Sequence, residues 1–475
     1  MLNLIAGFES PTRGELLAGG APVACAGRDR VVIFQDSDSL YGWLSVLDNV
    51  AFPLRVAGVG EQERRARAAA ALKLVGLHGH EAKHPGQLSG GMKQRTQRAR
   101  ALVLDSPILL MDEPFAALDA QTRAILQDEL VALCTRMRRT VLFITHDIAE
   151  AILLGDRVGI MGAGPASSIK EIIPVALPRP RKRSSVAFGE LYERINSEHL
   201  RRSAKRATAR GQSAAVTSDL MGRRRVGVLG YAVSIAVVLA LWQYGSSQAV
   251  IPLLFPSPLS TWRTGVKLFE EGRLLADIAV SLRRIALGFV LGSAVGVALG
   301  MLMGSFRLVR LVFEPYVQFL RALPALAWIP AAMVWLGTGE ASKIALLAYT
   351  TVFVVALNTM LGVASAPENQ LRAARSFGAS AWQAFCLVKA PATVAYMLTG
   401  MRLAMGNCFS TIIAAELLAP KAGIGYLIFS SRTWMQTEFA FVGIVILGLL
   451  GFVVDRLFHI STNRLFARYL PAARP

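Results

Sequence analysis

Residues 109–115 read LLMDEPF. Four apolar residues, Ile108 to Met111, suit a buried strand and carry Asp112 to its C-terminal end, the edge where ligands bind in open α/β sheets. A carboxylate there can hold Mg²⁺ through water. Glu113 follows and can polarise a nucleophilic water. A lone Asp-Glu pair would read as the start of a solvated loop, but this pair has company. LFITHD ends a second apolar strand with His146, a neutral donor suited to a phosphate oxygen. VVIFQD ends a third with Gln35. LSGGMKQR (88–95) opens a helix on Ser89, Gly90 and Gly91, baring backbone N–H groups at its positive end, a good anion site. FAALDAQTR follows the carboxylates and offers Asp119. Together these groups suit hydrolysis of a nucleoside triphosphate, which takes a phosphate cradle, a Mg²⁺ ligand, a group that orients water and a γ-phosphate sensor.

Elements to position them are legible over residues 1–177. The runs VVIF (31–34), PILLM (107–111), TVLFI (140–144) and RVGIM (157–161) alternate with helical patterns at 61–76 and 119–138. Strands alternating with helices predict a parallel sheet covered on both faces.

The rest of the chain has another character. The 475 residues are 53% hydrophobic and carry a net charge of +19, although only 17% are charged. That combination fits a nucleic-acid binder or a membrane protein with basic loops. The stretch 178–225 holds 13 Lys or Arg. No aromatic residues interleave with that charge as on a nucleic-acid surface, so a cytoplasmic linker ahead of a membrane span is the better reading and nucleic acid is not an expected partner. Six apolar segments follow, near 226–245, 279–304, 311–336, 343–364, 393–418 and 439–457. Each is about the length that spans a bilayer. The basic linker puts both ends of this domain inside. Arg263, Lys267, Arg273, Arg283 and Arg284 fit that topology poorly, because they fall on an outer segment. Gly288, Gly292, Gly296, Gly300 and Gly304 repeat every fourth residue and predict a side-chain-free groove where another helix packs closely. Pro324 and Pro330 can break the third span.

The four cysteines form no CxxC pair and read as isolated reduced thiols. The opening MLNLIAGFES lacks the basic and long apolar parts of a secretory signal. His80-Glu81-Ala82-Lys83-His84 matches the zinc pattern HExxH, but Pro85 disfavours a helix there. No metal site is expected in it.

The order Gln35, LSGGMKQR, ILLMDEPF, ALD, THD resembles the nucleotide-binding domain of an ABC transporter. The resemblance implies that Gln35 is the Q-loop residue and that Ser89, Gly90, Gly91 and Gln94 belong to the signature that closes over ATP held by another subunit. It makes Asp112 the Mg²⁺-side aspartate, with Gln35 beside the metal, Glu113 the catalytic base, Asp119 the D-loop residue and His146 the switch. In that family GxxxxGK[ST] stands just before a helix resembling TLLNLIAGFExPTSGE. This sequence opens MLNLIAGFESPTRGE and contains no GxxxxGK[ST]. The expectation is therefore an N-terminally truncated P-loop-NTPase-like domain whose first strand and Walker A loop lie ahead of Met1, through a start assigned too far downstream. The alternative is a real truncation, leaving a permease with an ATPase remnant that serves only as a signature-side partner.

The membrane half resembles binding-protein-dependent importer permeases. PENQLRAARSFGASAWQAFCLVKAPA (367–392) looks like their cytoplasmic EAA loop, with Glu368, Ala373, Ala374 and Gly378 matching it and Arg372-Ala373-Ala374 standing where the family has Glu-Ala-Ala. FPSPLSTW (255–262), RALPALAWIPAAMVWLGTGEASK (321–343) and GFVVDRLF (451–458), with DNVAFPLR (48–55) and VALPRPRKR (175–183), look like transporters of nitrate, sulfonate, taurine and related anions or vitamin precursors. The organisation expected is an ATPase domain (1–177), a basic linker (178–225), an all-α six-helix transmembrane permease domain (226–460) with its coupling loop at 367–392, and a cytoplasmic tail (461–475). The resemblance implies a homodimer in the bacterial inner membrane, with cytoplasmic ATPase domains that use ATP and Mg²⁺ and a separate substrate-binding protein. ATP hydrolysis coupled to transport is expected if the Walker A loop lies upstream. Sequencing the DNA ahead of Met1 tests this: an in-frame GxxxxGK[ST] is expected, and a stop codon in its place would favour the remnant.

Overall fold

The computed structural model describes residues 1–34, 39–115, 123, 127, 130–131, 139–162, 168–203, 227–248, 254–417, 422–433 and 435–470. The chain forms two compact units, one of Met1–Ser218 with Pro367–Val388, the other of Asp219–Ala366 with Lys389–Pro475.

In the first unit, α1 (Leu2–Ile5) precedes a small hairpin, β1 (Leu17–Ala18) and β2 (Ala21–Pro22). Strand β3 (Arg30–Ile33) leads to helices α2 (Val46–Val56), α3 (Glu61–Leu74) and α4 (Gly90–Leu102). Strands β4 (Ile108–Asp112) and β5 (Thr140–Ile144) then complete a parallel sheet in the order β3-β4-β5. Both faces are covered, as expected. Val31, Ile33, Leu109 and Met111 pack on the helices to one side, and Val32 and Leu110 pack with Leu2 and Ala6 of the α1 region on the other. The period-2 geometry of strands sends alternate residues to the two layers.

The chain continues through α5 (Ile148–Leu154), the antiparallel pair β6 (Arg157–Met161) and β7 (Ile169–Pro174), and α6 (Val186–Ser203). Part of the expected linker is therefore folded. Phe188 and Ile195 of α6 are buried with Ile152, Val158 and Ile173. Arg181 donates to the carbonyls of Ile152 and Gly155, both at 2.8 Å, so its charge caps the end of α5.

The second unit is helical: α7 (Gly227–Ser247), α8 (Pro258–Glu270), α9 (Arg273–Ser305), α10 (Arg307–Ala322), α11 (Ile329–Leu336) and α12 (Glu340–Ala364). After α13 (Glu368–Ser376) and α14 (Ala381–Ala384), which belong to the first unit, it resumes with α15 (Ala390–Glu416), α16 (Ile424–Thr433) and α17 (Thr437–Leu465). Among the described residues, four helical stretches are long and apolar enough to cross a membrane: Arg273–Ser305, Glu340–Ala364, Ala381–Glu416 and Thr437–Leu465. The expected third span is not one rod. Helices α10 and α11 meet at 96° across a turn that follows Pro324. The expected first span falls on α7, whose stretch Val233–Ser247 is a shorter apolar helix.

The glycine register does what its spacing predicts. An added Cβ would stand 2.6 Å from Thr351 Cβ at Gly292, 2.7 Å from the Val352 carbonyl at Gly296 and 2.5 Å from Val363 Cβ at Gly304. Helices α9 and α12 thus touch backbone to backbone, the contact that holds membrane helices where lipid supplies no hydrophobic force.

A buried ion cluster orders the next layer. Arg284, 2% exposed, donates to Glu416 Oε1 (2.8 Å) and the Ala422 carbonyl (2.8 Å), and pairs with Glu340 through Nε (2.7 Å). The fully buried Glu416 also accepts from Ser281 Oγ (2.7 Å) and Gly425 N (2.6 Å). Gly423 N donates to Asp277 Oδ1 (2.7 Å), and Ile424 N to Ser281 Oγ (2.9 Å). Side chains of α9 and α15 therefore satisfy the first free N–H groups of α16, a tertiary substitute for a local N-cap.

Substitution Gly296→Ala should destabilise the second unit by about 1–3 kcal/mol through overpacking. Gly406→Ala, whose Cβ would meet nothing within 4 Å, should be neutral or stabilise by up to about 1 kcal/mol. Thermal melting in detergent checks both, and equal effects would refute close packing along α9.

Candidate functional site

The middle strand β4 delivers the two carboxylates. Asp112 pairs in register with Ile144 of β5, and Glu113 N donates to the Ile144 carbonyl at 2.9 Å. Glu113 has φ +41, a left-handed backbone that side chains other than glycine's rarely adopt. Such strain concentrates at functional sites. It turns the carboxylate toward His146, whose Nδ1 donates to Glu113 Oε1 at 3.1 Å. Asp147 then caps α5, accepting from Ala149 N (2.8 Å) and Glu150 N (3.2 Å), and so fixes the backbone just after His146.

Burial raises the Asp112 carboxyl above its usual range, and the neighbouring Glu113 charge raises it further. Two adjacent carboxylates at a strand end fit a divalent cation. Asp112 would hold it. A bound cation there would keep Asp112 ionised.

Ser89 is the N-cap of α4, with Oγ accepting from Met92 N at 3.4 Å. Gly90 is exposed and Gly91 half-buried at the positive end of the helix. Gln94 points inward and is buried. The structure joins Asp112, Glu113 and His146 in one place. The Ser89 turn is exposed, and among the described residues Ser89 Oγ bonds only within its own turn, to Met92 N. Gln35 and Asp119 lie outside the described residues. His80 and His84 sit in turns rather than on a helix, and the described residues hold no cluster of three or more metal-ligating side chains.

Two buried arginines of α4 were not singled out by sequence reasoning. The Arg98 guanidinium stacks on Phe115, 5.2 Å from the ring centroid, two residues after Glu113. Arg100 lies over both Tyr41 (5.5 Å) and Phe377 (5.3 Å). It also donates to the Ser39 carbonyl (2.8 Å) and Ser39 Oγ (2.7 Å). Burial pulls the Arg100 pKa down to about 10 and pushes the Tyr41 hydroxyl up. Their only sequence signal is a pair of arginines at i and i+2 of a helix, which by spacing alone would not share a face.

Phe377 belongs to the segment expected as the coupling loop. In the first unit this segment is part of the core. Ala373, Ala374, Phe377 and Val388 are buried with Tyr41, Val50 and Phe52. Gln370 Nε2 donates to the Leu40 carbonyl (3.0 Å), and Tyr41 hydroxyl to the Gln370 carbonyl (3.3 Å). The buried Asn49 secures the Tyr41 turn, donating to the carbonyls of Tyr41 (3.0 Å), Leu44 (3.1 Å) and Ser45 (3.0 Å). Gly378 has φ +80, and an added Cβ would stand 2.9 Å from Arg28 Cγ. Arg28 Nε donates to the Phe377 carbonyl at 3.2 Å. Glu368 instead faces solvent, paired with Arg372. The small residues at 373, 374 and 378 are thus required by closeness of approach, whereas Glu368 is not.

A parallel sheet ending in paired carboxylates, with a glycine-opened helix beside it and an apolar helical bundle on the same chain, defines a nucleotide-handling domain joined to a membrane domain. Residues 1–116 match the ABC transporter family, and residues 295–467 match the family of binding-protein-dependent transport system inner membrane components. An uncharacterized ABC transporter ATP-binding protein of Methanocaldococcus jannaschii is 48% identical over 195 residues, 41% of this chain and 72% of that protein. Nitrate import ATP-binding protein NrtD of Synechococcus elongatus is 44% identical over 202 residues, 42% of this chain and 73% of that protein. Bicarbonate transport ATP-binding protein CmpC of the same species is 45% identical over 201 residues, 42% of this chain and 30% of that protein. The chain belongs to the ABC transporter family, and it joins an ATP-binding domain to a multi-pass membrane permease domain in one polypeptide.

A carboxyl whose pKa is raised by folding costs stability once ionised. The cost appears as pH rises from the unfolded value of 3.8 through the raised folded value. Asp112→Asn should therefore raise the Tm of the first unit at neutral pH. The gain should fade as pH falls below the unfolded value of 3.8, where the carboxyl becomes protonated in both states. Calorimetry across pH checks it.

Proposed function

We propose that this protein is an ATP-driven importer of a small anion, working as a homodimer with a separate substrate-binding protein in the bacterial inner membrane. Its ATP-binding domains face the cytoplasm. The observation that carries this reading is the burial of Ala373, Ala374 and Phe377, from the segment linking two membrane helices, in the core of the nucleotide-binding unit. Through Arg100, that segment touches the same helix that opens on Ser89. A shift of α4 when the signature meets nucleotide on the partner copy would move this segment directly.

In this reading Asp112 holds Mg²⁺, and Glu113 accepts the proton of the attacking water while His146 keeps its carboxylate oriented. Ser89, Gly90 and Gly91 bind the γ-phosphate of the nucleotide carried by the other copy. Gln35 and Asp119 complete the metal shell and the dimer contact. Nitrate and bicarbonate are the first solutes to test, because they stand in the names of two relatives; sulfonates and taurine follow from the permease motifs.

The test is uptake into proteoliposomes containing the protein, ATP and the cognate binding protein. ATP-dependent accumulation of one of these anions is expected. Glu113→Gln should retain nucleotide but lower turnover by at least about 100-fold. Turnover unchanged by Glu113→Gln would overturn the assignment of the base. Uptake without any ATP dependence would establish a permease with an inactive ATPase remnant.

A further inference from the structure

Three cations of the outer segment, Arg263, Lys267 and Arg273, form no ion pair among the described residues. Arg284 is spent in the buried cluster, and Arg283 pairs with Glu340 at 3.6 Å. Arg263 and Lys267 stand one turn apart on α8, exposed, and form no ion pair among the described residues. The same helix is amphipathic. Leu259, Trp262, Val266 and Phe269 follow the three- and four-residue spacing of one face, and Trp262 is 71% exposed.

Beside that face lies a cavity of about 420 Å³. Trp242 of α7, Trp262, Gly265 and Val266 of α8, and Val442 and Ile446 of α17 line it. Two of its polar groups are already used: Thr261 Oγ1 donates to the Ser257 carbonyl, and Trp242 Nε1 to the Pro256 carbonyl, both at 3.0 Å. A wall of this kind gives water too few partners to stay, so the fitting occupant is hydrocarbon. The cavity sits among helices that include long apolar spans, where the surrounding hydrocarbon is lipid. The two cations on the adjoining edge of α8 complement a phosphate. Glu270 and Glu271, at the far end of α8, leave the Arg263 end the more positive.

We propose that α8 lies in the membrane surface and holds one anionic phospholipid, with an acyl chain in the cavity and the phosphodiester between Arg263 and Lys267. The site is independent of nucleotide and of the transported solute. It explains why a segment outside the spans carries both an exposed tryptophan and two unpaired cations: the ring and the charges sit at the depth of the headgroups.

Native mass spectrometry of the full chain, loaded with phosphatidylglycerol or with phosphatidylcholine of equal chain length, tests the proposal. One retained lipid per chain is expected, with phosphatidylglycerol preferred by about tenfold. The double variant Arg263→Gln, Lys267→Gln should keep the lipid and lose the preference. Gly265→Phe should lose the lipid whatever its headgroup. Val266→Trp fills the same space from the next position and guards against one variant failing to fold. Filled variants that retain lipid as the wild type does would overturn the site. So would a preference that survives the double variant. Quantitative disulfide cross-linking of two copies through Val266→Cys, with no lipid retained, would show that protein covers this face instead.

Discussion

The nucleotide-binding unit depends on two guanidinium groups buried along α4. Taking a charge out of water is expensive, and burial has already pulled Arg100 down to about 10. The cost is offset by directed contacts: two hydrogen bonds to Ser39 and the faces of Tyr41 and Phe377. Those contacts leave little freedom. The helix that opens on Ser89 is held to the strand-end region through Phe115 and to the 367–388 segment through Phe377. Apolar side chains in the same places would pack as well, but they would slide. A planar cation between two rings has a defined seat.

The two units solve the packing problem in different solvents. In the first, strands bury alternate residues into two apolar layers, and water drives the assembly. In the second, apolar surface gains nothing by leaving lipid, so closeness and polar pairing decide. The glycine edge of α9 brings backbones together, and the Arg284–Glu340–Glu416 cluster supplies bonds that lipid cannot. Both devices converge on α9, which explains how one helix can be glycine-rich on one face and still bear a buried arginine and a buried aspartate.

Much of the site was legible because its signals are local. Strand-ending Asp112 and Glu113, the serine–glycine start of α4 and His146 after β5 each announce themselves within a few residues, and the sheet sets Asp112, Glu113 and His146 near one another. Ala373, Ala374 and Gly378 were legible as a motif, while the reason for their small size was not. It lies in Tyr41 and Arg28, more than 300 positions earlier. Arg98, Arg100 and Asn49 carried no signal above that of ordinary polar residues, since nothing nearby in sequence reveals that they are buried. The basic linker misled for the opposite reason: Arg181 reads as loose charge, yet its guanidinium finds carbonyls across a turn.

Sequence by itself determined the family and the local elements of the chain. Strand period, the helix-opening glycines, the four-residue glycine register and the length of the apolar runs are short-range properties, fixed by backbone geometry and by the thickness of a bilayer. Only the tertiary structure decided how the third apolar run breaks at 96° and which arginines are buried. It also showed that the segment between two spans completes the core of the other unit. Those outcomes depend on contacts between residues far apart along the chain, where burial sets the worth of each charge and each missing side chain.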